Sequence, residues 1–216
     1  MNPLLLDYIS NKKILEIGGP SIILQFLYNS TKSISLLNHK ESIEYFVMGS
    51  LPNNFDSIFY GDIVDIETFI SNDLFGKFEV VISSHILEHV ANPILALKNL
   101  KKCLIPGGII ITSVPDKNQC WDREREYTEM NHIIQDYQNN ILENDMTHIH
   151  ESACMNRPNY YNDIGDHNNP RIIHHHTFNE ETLLGSHEYV EFETIKCYTD
   201  DIDPLHIVYI GSNIGE

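Results

Sequence analysis

Basic residues are scarce in this sequence. Its 216 residues hold 14 Lys and Arg against 31 Asp and Glu, a formal net charge of −17. Affinity for a phosphate backbone comes largely from Lys and Arg, so this balance argues against nucleic acid as the partner. Arg123, Arg125, Arg157 and Arg171 are too scattered to show a local basic patch. Long apolar runs are absent too: nothing approaches the roughly 20 residues of a membrane span. The short run Leu4, Leu5, Leu6 has neither a basic leader nor a small-residue cleavage site, so it does not read as a signal peptide. The four cysteines, Cys103, Cys120, Cys154 and Cys197, form no Cys-x-x-Cys pair, which favours reduced structural thiols. Together these absences predict a cytoplasmic, intracellular protein, in the host cytoplasm if the gene is viral.

What is present is a repeated alternation of apolar runs and helical periodicity. Residues 13–17 (KILEI) form a short apolar run closed by Gly18, Gly19 and Pro20, and Ile22, Ile23, Phe26 and Leu27 then follow at helical spacing. Residues 33–37 and 56–60 repeat the strand signal, ending near Asn38 and Asp62. Residues 78–82 are a buried-strand run with a polar exit at Ser83, Ser84 and His85, and helical periodicity extends over residues 86–104. Pro106, Gly107 and Gly108 are expected to break that helix before a β-branched strand over 109–114. This alternation predicts an α/β fold with a mostly parallel sheet. Over residues 117–171 the pattern fails except for one amphipathic helix from 128 to about 138, which reads as an insertion over the site. A helix remnant at 182–184 and strands at 189–198 and 205–210 close the chain. Asp200, Asp201, Asp203 and Pro204 are the expected turn of a terminal antiparallel hairpin. One domain is expected over 1–216, with a cofactor-binding core (1–116), an acceptor-side insertion or lid (117–171) and closing strands (172–216).

The order of these pieces resembles the class I S-adenosylmethionine-dependent methyltransferases of the type 11-like kind. Leu15, Glu16, Ile17, Gly18 and Gly19 are similar to their first motif, and His85, Glu88 and His89 with the later Pro106, Gly107 and Gly108 are similar to the fourth strand, helix and fifth strand. The resemblance implies a Rossmann-like seven-stranded sheet, S-adenosylmethionine as cofactor, and a cofactor site drawn from Glu16, Gly18, Gly19, Pro20, Asn38, Asp62, Ser83, Ser84 and His85. A turn without side chains lets backbone approach the methionine part of the cofactor, and Glu16 suits its ammonium group. The turn departs from the commoner Gly-x-Gly, and Asn38 stands where the family offers an acidic residue to the ribose, with Glu41 as a fallback.

A narrower resemblance runs through Val114 to Lys117, Asp122, Arg123, Thr128, His132, Asp136, Tyr137 and His174 to Phe178. It is to small methyltransferases associated with glycosyltransferases, and it implies a sugar or glycan hydroxyl as acceptor and a glycosyltransferase as a candidate partner. A hydroxyl is a poor nucleophile at neutral pH and needs a general base or a metal. The candidate catalytic residues are Asp116, His85, His132, His148, His174 and His176. On an extended strand, alternation would put His174 and His176 on one face and His175 on the other. His148, His150 and His167 are expected near the same face. A divalent metal is a candidate cofactor with no ligand set assigned. Trp121, Asp122 and Arg123 are the candidate acceptor contacts, whereas Glu124, Arg125 and Glu126 read as a solvated charged face. Two other readings stay open: methylation of another small metabolite, and a cofactor-binding scaffold of glycan assembly without turnover. Oligomeric state is not legible.

Overall fold

A computed structural model describes residues 4–20, 27–38, 53–65, 73–154, 173–199 and 206–215. Seven strands form one sheet: β1 (Lys13–Ile17), β2 (Ser33–Asn38), β3 (Phe55–Tyr60), β4 (Phe78–Ser84), β5 (Leu104–Pro115), β6 (Phe192–Thr199) and β7 (His206–Asn213). Their order is β3-β2-β1-β4-β5-β7-β6. The first five run parallel, and β7 is antiparallel to both β5 and β6. The expected mostly parallel sheet with a terminal antiparallel pair is therefore present; the Asp200 to Pro204 turn lies outside the described residues, as do the helical positions Ile22, Ile23 and Phe26.

Helices α1 (Leu4–Ile9), α2 (Pro93–Cys103), α3 (Met130–Gln138), α4 (Met146–Cys154) and α5 (Glu180–Tyr189) complete the described elements. Strand alternation divides the core in two. Leu15, Ile17, Val81, Ile110 and Tyr209 face Leu97, Leu100 and Leu183, while Ile14, Ile34, Val80, Ile82 and Ile210 face Ile9, Leu27 and Tyr28. Apolar positions on both faces are what a parallel sheet covered on both sides requires.

Three expectations are corrected. The helix expected over 86–104 is a single 3-10 turn at Leu87–His89 followed, after Val90 in extended conformation, by α2. Pro93 disfavours helical geometry at the residue before it and suits the first helical turn, and Asn92 caps it by accepting from the Leu95 N–H. Pro106, Gly107 and Gly108 lie inside β5 rather than ahead of it. Phe78 pairs with Leu104 but Val80 with Ile109, and Gly107 at φ 75° takes up the irregularity. The closing helix is ten residues long rather than a remnant, started by a capping box between Asn179 and Thr182. Within the insertion α3 begins at Met130, because the Thr128 N–H is held by the Thr177 carbonyl, and α4 was not expected at all. Among the described residues no helix is long and apolar enough to cross a membrane.

Candidate active site

The sheet order reverses between β1 and β4, which opens the crevice beyond their carboxyl ends where open α/β sheets bind ligands. Gly18, Gly19 and Pro20 follow β1. Gly18 has φ 71°, its N–H donates to the Leu37 carbonyl at 2.9 Å, and a Cβ there would meet Ile86 Cδ1 at 2.4 Å. A Cβ on Gly19 would fall 2.4 Å from the Glu16 carboxyl carbon. Alternation sets Glu16 on the same face as Ile14, against Leu27 and Tyr28. It is 1% exposed, and its Oε2 accepts from the Tyr28 hydroxyl at 2.7 Å. Glu16 thus braces the turn from below.

Asn38 ends β2. Its Nδ2 donates to the Gly19 carbonyl at 2.8 Å, while its Oδ1 is buried with no hydrogen-bond partner among the described residues. Ser83 Oγ, at the end of β4, is likewise buried and unpartnered, and Ser84 beside it is half-buried. Unpaired buried polar atoms are costly, so an acceptor and a hydroxyl left unpaired at the crevice suit a ligand that brings its own donors and acceptors. The glycine turn and these two atoms fit the expected cofactor. Asp62 Oδ1 accepts from the Val64 N–H at 3.0 Å, forming a turn after β3. Glu41 and His167 lie outside the described residues.

His85 continues directly from Ser84 with φ 54°, a left-handed backbone that is costly for a side-chain-bearing residue and often marks functional positions. One ring nitrogen, Nε2, lies 2.8 Å from His206 Nδ1, and the other lies 3.3 Å from Glu88 Oε1. Glu88 is 1% exposed, and neither carboxylate oxygen makes a well-angled hydrogen bond. Burial pushes the Glu88 carboxyl up, but contact with His85 and the nearness of His89 and His174 outweigh it and hold it below its ordinary value. Burial holds the His89 imidazole down despite the neighbouring Glu88, and His89 Nδ1 meets the Ile173 carbonyl at 2.9 Å.

Asp116 follows β5. Its Oδ1 accepts from the Asn118 N–H at 2.9 Å and caps a 3-10 turn at Lys117–Gln119. Beyond it, the expectation that Asp122 presents its carboxylate to an acceptor is corrected. Asp122 is buried, one oxygen accepting from Arg125 at 2.9 Å and the other in a short hydrogen bond with His174 Nδ1. Burial raises the Asp122 carboxyl, yet His174 and Arg125 bring it below its ordinary value. Arg125 is no solvated residue either: its guanidinium also donates to the His174 and His175 carbonyls. Glu124, Glu126 and Arg123 are exposed. Trp121, 56% exposed, lies tilted over His174 with ring centroids 4.7 Å apart.

The remaining histidines separate. Residues 173–179 form no strand, so the expected alternation fails. His174 turns to Asp122, whereas His175 and His176 both meet His148. His132, Asp136, His148 and His176 form a second cluster, distinct from the crevice, and His150 is exposed. Sequence reading missed His206, since nothing local marks a residue at the start of the penultimate sheet position, and it misjudged Arg125, whose partners besides Asp122 lie 49 and 50 residues away.

A family model described as a methyltransferase domain matches residues 9–184. No curated protein sequence matches the chain significantly. Among solved structures, it is similar to an S-adenosylmethionine-dependent methyltransferase from Methanosarcina mazei, at 16% identity over 100% of this chain and 99% of that one, with a TM-score of 0.59. Another from Mesorhizobium loti is 11% identical over 97% and 94% of the two chains, TM-score 0.58. The N-methyltransferase NodS from Bradyrhizobium japonicum is 13% identical over 97% and 91%, TM-score 0.52. With the sheet order and the glycine turn at its switch point, these matches show that the chain belongs to the methyltransferase-domain family and has the class I fold whose cofactor is S-adenosylmethionine.

Proposed function

We propose that this chain O-methylates a sugar or glycan hydroxyl, with His85 and His206 as the base. The observation that carries the reading is the chain of contacts Glu88, His85, His206 at the carboxyl end of β4. The buried carboxylate lies 3.3 Å from His85 and the second imidazole 2.8 Å from it. S-adenosylmethionine supplies an already activated methyl, which leaves this chain to align the acceptor and remove its proton. The facing nitrogens already share one ring proton, so the acceptor's proton goes to the outer nitrogen of the pair, His206 Nε2, and Glu88 stabilises the imidazolium that results. Asn38 Oδ1 and Ser83 Oγ would hold polar groups of the cofactor, with Asp62 beside the third strand. Asp116 would bind the acceptor near the end of β5.

Trp121 favours a sugar. Its exposed ring is backed by His174, which Asp122 and Arg125 fix from behind, and apolar sugar faces stack on such platforms. Arg123, exposed beside it, can reach acceptor hydroxyls. Acidity of the whole chain supports a small acceptor over nucleic acid. The narrower family resemblance supports a glycosyltransferase partner.

The test is methyl transfer from labelled cofactor to a panel of nucleotide sugars, oligosaccharides and non-carbohydrate hydroxy compounds. Transfer to a carbohydrate is expected, with kcat falling about 100-fold in His206→Gln while cofactor affinity is kept. Turnover confined to non-carbohydrate acceptors would overturn the sugar reading. Cofactor binding with no turnover on any acceptor would favour a scaffold role.

A further inference from the structure

The cluster of His132, Asp136, His148 and His176 is not used by the reaction above. His132 and Asp136 stand one helical turn apart on α3, so both side chains project from one face. His148 comes from α4, whose first turn is held by Asp145 Oδ1 accepting from the Thr147 and His148 N–H groups at 2.9 and 3.3 Å. His176 precedes α5. Two neighbouring helices and a segment farther along the chain thus converge on one point. His148 and His176 are each 1% exposed and Asp136 6%, with His132 closing the cluster at its outer edge.

The distances are those of a coordination shell. From Asp136 Oδ2, His132 Nε2 is 3.3 Å away, His148 Nε2 3.5 Å and His176 Nε2 3.6 Å, and His132 Nε2 and His148 Nε2 are 2.9 Å apart. Zinc-to-ligand bonds of about 2.0–2.1 Å in a tetrahedron place neighbouring ligand atoms about 3.3 Å apart. Within the four side chains one hydrogen bond is made, between His132 Nε2 and His148 Nε2, and it leaves the rest of the arrangement unexplained. Asp136 Oδ2, at the centre, and His176 Nδ1 are both buried with no hydrogen-bond partner among the described residues. A buried carboxylate oxygen ringed by three imidazoles and hydrogen-bonded to none of them is left unsatisfied. A divalent ion bound by the neutral rings would give that oxygen a partner of opposite charge. One outer contact supports the same state: His148 Nδ1 lies 3.2 Å from His175 Nδ1, which leaves Nε2 as the ligand atom. His176 Nε2 donates to the Ala91 carbonyl at 3.2 Å, a hydrogen bond that the bound ion would replace.

We propose that His132, Asp136, His148 and His176 bind a divalent transition-metal ion, zinc by preference, in a closed structural site. Three nitrogens and one oxygen suit zinc over magnesium or calcium, which take oxygen ligands in larger shells. With all four positions supplied by protein, the ion fixes α3, α4 and the segment before α5 rather than activating substrate. The site stands independently of the methyl-transfer reading.

The test uses the full chain, purified without a metal-affinity step, dialysed against chelator and titrated with Zn2+ and with Co2+. Stoichiometric Zn2+ binding is expected, with a raised melting temperature, and the Co2+ form should show the intense visible bands of tetrahedral coordination without thiolate charge transfer. His132→Ala is the first variant because His132 is the most exposed ligand; His176→Ala is the second. Each should weaken Zn2+ binding by more than about 100-fold, beyond what losing an outer-shell partner costs. Absence of stoichiometric binding would overturn the proposal. So would affinity unchanged in both variants, or a thiolate band placing the ion at Cys120, Asp122 and His174 instead.

Discussion

Asn38 shows how one side chain can reverse an inference drawn from its type. An acidic residue at the end of β2 is what the fold usually offers the ribose, so Asn38→Asp looks like a repair. In this protein the Asn38 Nδ2 donates to the Gly19 carbonyl at 2.8 Å, and a carboxylate there would set oxygen against oxygen in a buried place. Asn38→Asp is therefore expected to lower stability by about 1–3 kcal/mol and to leave cofactor affinity no tighter. Urea unfolding and calorimetric titration check the two halves; a tighter complex at unchanged stability would refute the argument. Gly18 behaves similarly. Its φ of 71° and the 2.4 Å approach of Ile86 Cδ1 make separate demands. Gly18→Ala should cost upwards of about 1–2 kcal/mol from the backbone alone. Adding Ile86→Ala should recover only the steric part, and full recovery would show that the backbone demand is absent. That these glycines form a turn was legible in the sequence, because glycine after an apolar run is a local signal. What makes them obligatory was not, since Ile86 lies far along the chain and the packing of the Glu16 carboxyl against Gly19 leaves no local signal.

At the level of elements, the strands were the legible part, because apolar runs bounded by Gly, Pro or polar exits are local. Helix α5 was not: Gly185, Ser186 and His187 interrupt its apolar period, and its stability comes from the cap at Asn179 and from packing. His187 supplies that packing. Its ring stacks on Tyr209 with centroids 3.8 Å apart, Nδ1 donates to the Leu183 carbonyl at 2.8 Å, and Nε2 accepts from the Thr112 hydroxyl at 2.9 Å. Both nitrogens of the neutral ring are thereby satisfied, and burial pushes its pKa from 6.5 down to about 3. In the unfolded chain the residue takes up a proton below its ordinary value, whereas the folded protein resists until much lower pH. Its contribution is thus fully present at neutral pH and is lost as pH falls from 6.5 towards 3. Between pH 7 and about 4.5 the wild type should lose roughly 2 kcal/mol more than His187→Gln, because each unit corresponds to about 1.4 kcal/mol. Parallel slopes of stability against pH in the two proteins would show that His187 does not titrate across folding.

For the molecule as a whole, the crevice and the four-ligand cluster are joined by one short segment, residues 87–92. The His175 N–H donates to the Glu88 carbonyl at 2.6 Å, His89 Nδ1 to the Ile173 carbonyl at 2.9 Å and the Asn92 side-chain amide to the Asp136 carbonyl at 3.3 Å. The Ala91 N–H donates to Glu143 Oε1 at 3.3 Å, and its carbonyl meets the His176 ring. The same segment carries Glu88, which contacts His85 at the crevice. Ordering one side is therefore expected to order the other, and linkage makes the effect reciprocal. Bound Zn2+ is expected to tighten cofactor binding about fivefold or more, and the cofactor to tighten Zn2+ by the same factor. Hydrogen exchange gives the structural readout. Either ligand alone should slow exchange over residues 85–92, while the more distant amides of 130–154 respond mainly to Zn2+ and those of 13–20 mainly to the cofactor. If Zn2+ slowed exchange only in α3 and α4, and cofactor affinity were the same with and without it, the metal site would stand as a local brace. The segment 87–92 would then be a passive connection, its five hydrogen bonds holding position without transmitting anything.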